Sequence, residues 1–262
     1  MHDIMVGVIL AAGMAKRLRP LTDTKPKCLL EVGGKTLMQR TVEAMQSAGV
    51  TEFLVVTGYR GEMIRDFFRE SGGQVHDRSY RAYQATCPPD SRIRFIDNVD
   101  YEHNNNIFSL WMAMQELHGQ EVLLMDSDIL CDPEAVRRVA SQDCDALAMQ
   151  RHELGEEEMK IVVDASGSIK EISKTCRVED AIGESVGIEK MTPTYTEALY
   201  QELRRMILDE GLIDIFYERA FERLIPQGHT FKVVDTTDLF SYELDTPEDF
   251  ERATEQMPAE LL

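Results

Sequence analysis

An apolar run near the start of the chain, Ile4 to Leu10, constrains the fold more than any other stretch. Its β-branched residues predict a buried strand, and the strand breaks into Ala11-Ala12-Gly13, residues small enough for a ligand to approach the backbone. Cationic side chains then follow closely, with Asp23 as the one acid among them. They are Lys16, Arg17, Arg19, Lys25 and Lys27. This order predicts a phosphate-binding loop after a core strand, and the alternative is a solvated basic turn.

The charge balance of the whole chain makes this local surplus of cations informative. The sequence has 28 Lys and Arg against 47 Asp and Glu, a formal net charge of -19. Such a charge argues against nucleic acid or an anionic membrane as the main partner, because the average field would repel both. A small polyanionic ligand held by backbone N–H groups and basic side chains would explain the surplus.

Length and cysteine content narrow the class of protein. A chain of 262 residues with 43% hydrophobic and 29% charged residues predicts one substantial globular domain. The five cysteines are scattered and include no C-x-x-C pair, so the sequence predicts neither a disulfide framework nor a zinc site. We expect the cysteines to be free thiols in a cytoplasmic protein. The first apolar run is too short for a signal peptide, and no segment is long enough to span a membrane.

Strand and helix signals alternate through the first part of the chain. A helix is predicted from Thr36 as N-cap to a stop at Gly49, followed by a strand over Glu52 to Gly58 and a helix over Glu62 to Phe68. This alternation is typical of a parallel sheet with right-handed crossovers. Ser71 to Arg92 breaks the pattern and is predicted to be a long irregular insertion.

Acidic residues follow a second apolar strand, Glu121 to Met125. The strand ends in Asp126-Ser127-Asp128, which should lie at the carboxyl edge of the sheet, where open α/β folds bind ligands. Carboxylates there suit Mg²⁺ shared with substrate phosphates. The alternative is a solvated turn.

Local signals in the second half predict further elements. Asp164 to Ser168 is a hairpin turn, and helices are expected from about Thr194 to Asp209 and from about Asp214 to Leu224. Thr246-Pro247, with Asp249 three residues after the threonine, predicts a helix N-terminus. Helix capping does not explain the acids that come just before it, Glu243 and Asp245.

Two familiar phosphate loops are absent, since the sequence has neither G-x-G-x-x-G nor G-x-x-x-x-G-K-[ST] at this place. The stretch instead resembles the L-A-[AG]-G-x-[AG]-x-R-[LM] signature, followed by a P-K lysine, of the nucleotidyltransferase family that makes NDP-sugars and CDP-alcohols. Leu10 to Leu18 and Pro26-Lys27 match position by position, with Ala15 where Gly or Ser is more usual. The resemblance extends to Asp245 and is closest to the small bacterial CTP:phosphocholine and aminoethylphosphonate cytidylyltransferases.

The resemblance implies an α/β fold of the glycosyltransferase-A-like nucleotidyltransferase type. This is a Rossmann-like mixed, mainly parallel sheet flanked by helices. It implies one domain over 1–262 with a small C-terminal addition on the substrate side. About 1–130 would form the nucleotide-binding half and about 131–262 the acceptor half.

The same resemblance implies roles for individual residues. Lys27 would hold the reacting phosphates, Arg17 would bind the β/γ end, and Asp128 and Asp245 would bind Mg²⁺, or Mn²⁺ in its place. The implied nucleotide-binding residues are Leu10, Ala11, Ala12, Gly13, Asn106 and Ser109. Asn104-Asn105-Asn106 matches a family motif before a nucleotide-binding helix, although an Asn-rich helix cap explains it equally. Glu184 lies in a predicted strand, Gly183 to Lys190, that would line the acceptor side.

The implied reaction couples an NTP, CTP above all, to phosphocholine, phosphoethanolamine or aminoethylphosphonate and releases pyrophosphate. A sugar-1-phosphate nucleotidylyltransferase is the runner-up, and a non-catalytic nucleotide-binding regulator is the alternative of another class. The expected partners are small molecules, without nucleic acid or membrane insertion, and a homo-oligomer is left open. Tyr217 and Glu218 match an aromatic-acid pair that would bind an ammonium head group. The alternative is a core stripe of Phe216, Ala220 and Leu224.

Overall fold

The computed structural model describes residues 4–70, 74–75 and 91–261. Most of the predicted insertion, Ser71 to Arg92, lies outside them. The strands are β1 (Val6–Ala11), β2 (Glu31–Val32), β3 (Lys35–Thr36), β4 (Glu52–Thr57), β5 (Gln74–Val75), β6 (Arg92–Asp97), β7 (Val122–Asp126), β8 (Ile129–Cys131), β9 (Ala146–Gln150), β10 (Lys160–Val163), β11 (Ile169–Ser173), β12 (Gly183–Met191), β13 (Lys232–Asp235) and β14 (Ser241–Glu243). The helices are α1 (Leu37–Ser47), α2 (Gly61–Glu70), α3 (Asn106–Leu117), α4 (Pro133–Ala140), α5 (Pro193–Arg204), α6 (Glu218–Leu224) and α7 (Pro247–Gln256).

The main sheet has the order β11-β10-β12-β7-β1-β4-β6-β5. Strands β7, β1, β4 and β6 are mutually parallel, which confirms the predicted mainly parallel sheet. The other half is mixed: β12 runs antiparallel to β7, and β9 pairs with both β12 and β13. Every residue of the central strand β1 is buried, as expected for a parallel strand covered on both faces.

Alternate residues of β1 enter two separate hydrophobic cores. Val8 and Leu10 join a core shared with α3, α5 and α6, whereas Ile9 and Ala11 join one shared with α1, α2 and α4. Because burial of one such aliphatic side chain is worth about 1.5–3 kcal/mol, the two cores hold the end of β1 firmly in place. The loop that follows β1 therefore starts from a rigid point.

The predicted helix ends and hairpin turn are confirmed. The Thr36 hydroxyl accepts a hydrogen bond from the Gln39 N–H at 3.1 Å, and Thr246 forms a reciprocal capping box with Asp249. In the turn between β10 and β11, the Asp164 carboxylate accepts hydrogen bonds from the backbone N–H groups of Ser166 and Ser168.

The predicted helix from Asp214 to Leu224 is wrong in its first part, because α6 begins only at Glu218. Two hydrogen bonds to α3 and its cap hold the preceding segment out of the helix. The Asn105 N–H donates to the Ile213 carbonyl at 2.9 Å, and the Tyr217 N–H donates to Asn106 Oδ1 at 3.0 Å. The helix predicted from Thr194 is present as α5, and Arg205–Asp209 continue it as a π-helical segment.

The C-terminal segment packs beside the end of β7. Strand β14 pairs antiparallel with β8, and the Leu244 N–H donates to the Asp128 carbonyl at 3.2 Å. A small third core around Leu130 and Leu244 holds the segment there. None of the helices in the described part of the chain combines the length and apolar character that a membrane crossing requires.

Candidate active site

A cavity of about 1060 Å³ lies at the carboxyl ends of the parallel strands, between them and the C-terminal segment. It brings together all of the predicted site residues except one. Those that line it are Leu10, Ala11, Ala12, Gly13, Arg17, Lys27, Asn106, Ser109, Asp128, Glu184, Glu218 and Asp245. Tyr217 is the exception. Their individual roles stay predictions.

The loop after β1 is held from behind by the loop after β4. The Tyr59 N–H donates to the Ala12 carbonyl at 2.9 Å, and a Cβ on Gly58 would lie 2.6 Å from the same oxygen. Only glycine fits at Gly58, since real Cβ atoms do not come so close to a carbonyl. Ala15, where the resembled signature more often has Gly or Ser, has a left-handed backbone with φ 46°. That conformation costs an L-residue about 1–2 kcal/mol, which the surrounding loop must offset.

Lys27 lies at the centre of the site, between one carboxylate that follows β7 and one from the C-terminal segment. Its Nζ is 2.9 Å from Asp128 Oδ2 and 2.6 Å from Asp245 Oδ1, and only 10% of the side chain is exposed. Burial alone would lower the pKa of Lys27, but the two carboxylates outweigh it and the pKa is raised. Arg17 contacts the second oxygen of Asp245. The Lys27 ammonium group is thus held in place, and the Asp245 carboxylate contacts both Lys27 and Arg17.

Three carboxylates at this point could hold a metal ion. Asp128, Glu243 and Asp245 each offer an oxygen, and these atoms lie within 4.8 Å of one another. This donor set fits a hard cation such as Mg²⁺. Partial loss of hydration, together with the charges of Asp128 and Asp245, raises the pKa of Glu243, although this residue is still exposed to solvent. Sequence reasoning did not assign Glu243, although its spacing of two residues from Asp245 in an extended segment was a signal.

The side of the cavity that is predicted to bind the nucleotide has a connected set of polar side chains. The Asn98 amide donates to Asn104 Oδ1 at 2.8 Å and to Ser109 Oγ at 3.1 Å. Asn105 caps α3 by accepting from the Asn106 N–H at 2.8 Å. The Asn run therefore caps the helix and also lines the cavity, so the two interpretations are compatible.

The side of the cavity that is predicted to bind the acceptor combines acids with the basic residues His152 and Lys174. Glu184 Oε2 is 2.7 Å from His152 Nε2, and Lys174 Nζ lies 4.7 Å from the centre of the Phe216 ring. Burial raises the pKa of Glu184 despite the His152 contact. Burial also raises the pKa of Glu218, to about 7. Lys174 and His152 were missed because they lie in no recognised motif, and Phe216 was named only for the alternative of a core stripe, although it lines the cavity.

Tyr217 does not present its ring to the cavity, contrary to the prediction. It is 0% exposed, and its hydroxyl donates to Asp126 Oδ2 at 2.9 Å. The strand opposite comes close to the same carboxylate: a Cβ on Gly187, whose φ is +68°, would lie 2.9 Å from Asp126 Oδ2. Tyr217 therefore orients an acid beside the metal-ligand candidates, and only glycine fits facing that acid.

Glu189 is a fully buried acid in the core behind this wall. It is 0% exposed, and among the described residues neither of its carboxylate oxygens has a hydrogen-bond partner. Burial, and then the negative charges of Asp126 and Glu218, raise its pKa far above the usual range. A buried acid without a partner is neutral in the folded protein and costs stability when it must ionise.

Glu189→Gln should therefore stabilise the protein increasingly as the pH rises. Below the unfolded pKa of about 4.3 the acid is neutral in both states, and above it only the unfolded chain readily releases the proton. The free energy of unfolding of the wild type should fall, relative to the variant, by up to about 1.4 kcal/mol per pH unit above that value. Urea denaturation at pH 5, 6, 7 and 8 measures this. The exposed Glu255→Gln serves as control, and a pH-independent difference for Glu189→Gln would contradict the assignment.

Comparison with known proteins agrees with the fold. The model of the MobA-like NTP transferase domain matches residues 7–224. The CMP-5'-(3-aminopropyl)phosphonate synthase of Streptomyces rubellomurinus is 26% identical over 258 residues, covering 94% of this chain and 38% of that protein. The CTP:phosphoglutamine cytidylyltransferase of Campylobacter jejuni is 26% identical over 265 residues, covering 88% of this chain and 92% of that protein.

A solved structure is similar over nearly the whole chain. The CTP:phosphocholine cytidylyltransferase of Streptococcus pneumoniae superposes with a TM-score of 0.77 at 20% identity, covering 97% of this chain and 100% of that one. The predicted nucleotidyltransferase fold is thereby confirmed. This chain spans well under half the length of the Streptomyces relative and nearly all of the Campylobacter one. Because the family model matches most of its length, the chain belongs to the MobA-like NTP transferase domain family.

Proposed function

We propose that this chain is a metal-dependent nucleotidyltransferase that couples CTP to a small phosphate or phosphonate with a cationic head group. The observation that carries the proposal is the position of Lys27, between Asp128 and Asp245 at the end of the loop that follows β1. The cytidylyl-transferring relatives, named for aminopropylphosphonate, phosphoglutamine and phosphocholine, support the choice of nucleotide and acceptor.

In this reaction an oxygen of the acceptor phosphate or phosphonate attacks the α-phosphorus of CTP. A P–O bond forms there as the bond to the β-phosphate breaks, and pyrophosphate leaves. The protein forms no covalent bond, so its contribution is to align the two anions and to stabilise charge. Lys27 would hold the reacting phosphates, and Arg17 would release Asp245 and bind the β- and γ-phosphates of CTP instead.

The metal-ligand candidates are Asp128, Glu243 and Asp245. Mg²⁺, when bound, would neutralise negative charge on the reacting phosphates. The backbone from Leu10 to Gly13 would hold the base and ribose, with Asn106 and Ser109 beside them. This division into a nucleotide half and an acceptor half remains part of the proposal.

The acceptor side favours a positively charged head group. Acids outnumber basic side chains among the described residues that line it, with Glu157, Glu158, Glu184 and Glu218 against His152 and Lys174. A sugar would instead require a spread of neutral hydrogen-bonding groups. The sugar-1-phosphate alternative is therefore the weaker one.

A panel of substrates tests the proposal. Each NTP is combined with phosphocholine, phosphoethanolamine, aminoethylphosphonate and several sugar 1-phosphates, and pyrophosphate release is measured. We expect release with CTP and an amino-alcohol phosphate or aminophosphonate. Release only with a sugar 1-phosphate would favour the alternative reaction, and NTP binding without any release would favour a regulator.

Glu218→Gln should weaken binding of the cationic acceptor and leave binding of CTP nearly unchanged. Loss of one charge-assisted contact is worth about 1.5–3 kcal/mol, so KM for the acceptor should rise by roughly 10- to 100-fold. Glu222→Gln is the matched control, because Glu222 lies one turn further along α6 and pairs with Arg219. Equal increases in both KM values for Glu218→Gln would remove the head-group role of this residue.

A further inference from the structure

Two buried polar groups on the acceptor wall lack partners. Ser185 and Glu218 both line the cavity, and each is 8% exposed. Within the part of the chain that the structure describes, Ser185 Oγ and Glu218 Oε2 have no hydrogen-bond partner. An unmet buried polar group costs about 1–3 kcal/mol. Both groups can accept hydrogen bonds, so this wall can bind a ligand that donates them.

Glu189 and Asp126 extend this wall inward. Glu189 feels the charges of both Asp126 and Glu218, so the three acids are neighbours. The two acids raise the pKa of Glu189, whereas the nearby Ser185 hydroxyl lowers it. No hydrogen bond of normal geometry joins Ser185 to Glu189. The only donor that the described residues give Asp126 is the Tyr217 hydroxyl. Acceptors therefore predominate here, and N–H donors are scarce.

The two aromatic residues directly before Glu218 are poorly placed to hold a quaternary ammonium group. Such a group carries no N–H and is held mainly by cation–π contact with aromatic rings. Tyr217 is fully buried, and the Phe216 ring already has the Lys174 ammonium 4.7 Å from its centre. A trimethylammonium group would have to displace a cation and would leave Ser185 and Glu218 unpaired.

We infer that the acceptor carries a primary ammonium group, which donates hydrogen bonds to Ser185 and Glu218, and that the site discriminates against trimethylammonium. The inference rests on the proposed function and specifies its substrate class. Ser185 and Glu218 contact the ammonium group, whereas Glu189 lies behind them in the core.

A methylation series at constant charge tests this directly. Phosphoethanolamine, its N-methyl and N,N-dimethyl derivatives and phosphocholine offer three, two, one and no N–H donors. With CTP and Mg²⁺, kcat/KM should fall at each step, by about a hundredfold or more over the series, because a site built for hydrogen bonds rejects analogues that lack them. Isothermal titration of CDP-ethanolamine and CDP-choline should give the same order without turnover.

Ser185→Ala separates the contact from a structural effect. The variant removes one oxygen, so it should fold as the wild type does, and melting temperatures check this. Its kcat/KM for phosphoethanolamine should fall about tenfold, as expected for the loss of one hydrogen bond to a charged group, with little change for phosphocholine. Ser241→Ala removes a hydroxyl from another wall of the cavity and should leave the ratio of the two substrates unchanged.

The outcomes distinguish the two proposals. Equal or better use of phosphocholine by an active enzyme, or an unchanged ratio in Ser185→Ala, would overturn the primary-ammonium assignment and leave the nucleotidyltransferase proposal standing. Failure of every member of the series to release pyrophosphate with any NTP would overturn both.

Discussion

Replacement of Lys27 with alanine is expected to lower kcat by about a hundredfold or more while the protein stays folded. Removal of one preorganised charge stabiliser from an active site usually costs about 10²–10³ in kcat. Lys27 would act as such a group, since contacts with Asp128 and Asp245 hold its ammonium in place. Steady-state pyrophosphate release measures the effect, and the melting temperature verifies the fold.

Lys25→Ala is the matched control, because Lys25 lies two residues earlier and is paired only loosely, at 3.8 Å, with Glu31. Lys25→Ala should lower kcat much less than Lys27→Ala does. Lys27→Ala should also bind Mn²⁺ more tightly, since the competing cation between the carboxylates is gone. Near-normal turnover in a folded Lys27→Ala protein would remove Lys27 from the catalytic group.

Activity is expected to require a divalent cation, and Asp128→Asn and Asp245→Asn should each raise the concentration needed. Each substitution removes one of the few charged oxygens available to a hard cation. Loss of a supporting residue around a metal commonly costs about 10- to 100-fold in affinity, and loss of a ligand should cost at least as much. Titration of Mg²⁺ against initial rate, and of Mn²⁺ by electron paramagnetic resonance, would measure both effects.

Glu248→Gln controls for the loss of negative charge nearby, because Glu248 is exposed and lies in the first turn of α7 just after Asp245. It should leave the metal requirement unchanged. Full activity in excess chelator would contradict the requirement, and unchanged Mn²⁺ binding in both aspartate variants would place the ion elsewhere.

The features that the sequence predicted well are those with local causes. Thr36 and Thr246 cap helices through bonds to residues three positions away, and Asp164 closes a turn within four residues. The parallel strands follow from their apolar runs, which only a sheet covered on both faces can bury. The cationic loop and Asp128 follow such strands, so their position at one sheet edge was predictable as well.

The predictions that were wrong concern segments whose conformation depends on residues distant in the sequence. Phe216, Ala220 and Leu224 have helical spacing, yet bonds to Ile213 and Tyr217 from the start of α3 prevent the first turn. The same contacts turn the Tyr217 ring into the core, where its hydroxyl meets Asp126. No local pattern contains these tertiary bonds, and none shows that Glu189 faces the core rather than the solvent.

Because β14 has to pair with β8 before Asp245 can reach Lys27, the site is completed late in the synthesis of the chain. The contact between Lys27 and Asp245 joins residues 218 positions apart. Protein chains emerge from the ribosome N-terminus first, at about 5–20 residues per second, so the cationic loop is exposed for many seconds before Asp245 arrives. Until then the growing chain can attract nucleotide phosphates but lacks the acid that pairs with both Lys27 and Arg17. Nucleotidyl transfer would thus begin only after the C-terminal segment has been made and docked, and a ribosome-bound intermediate could hold CTP without consuming it.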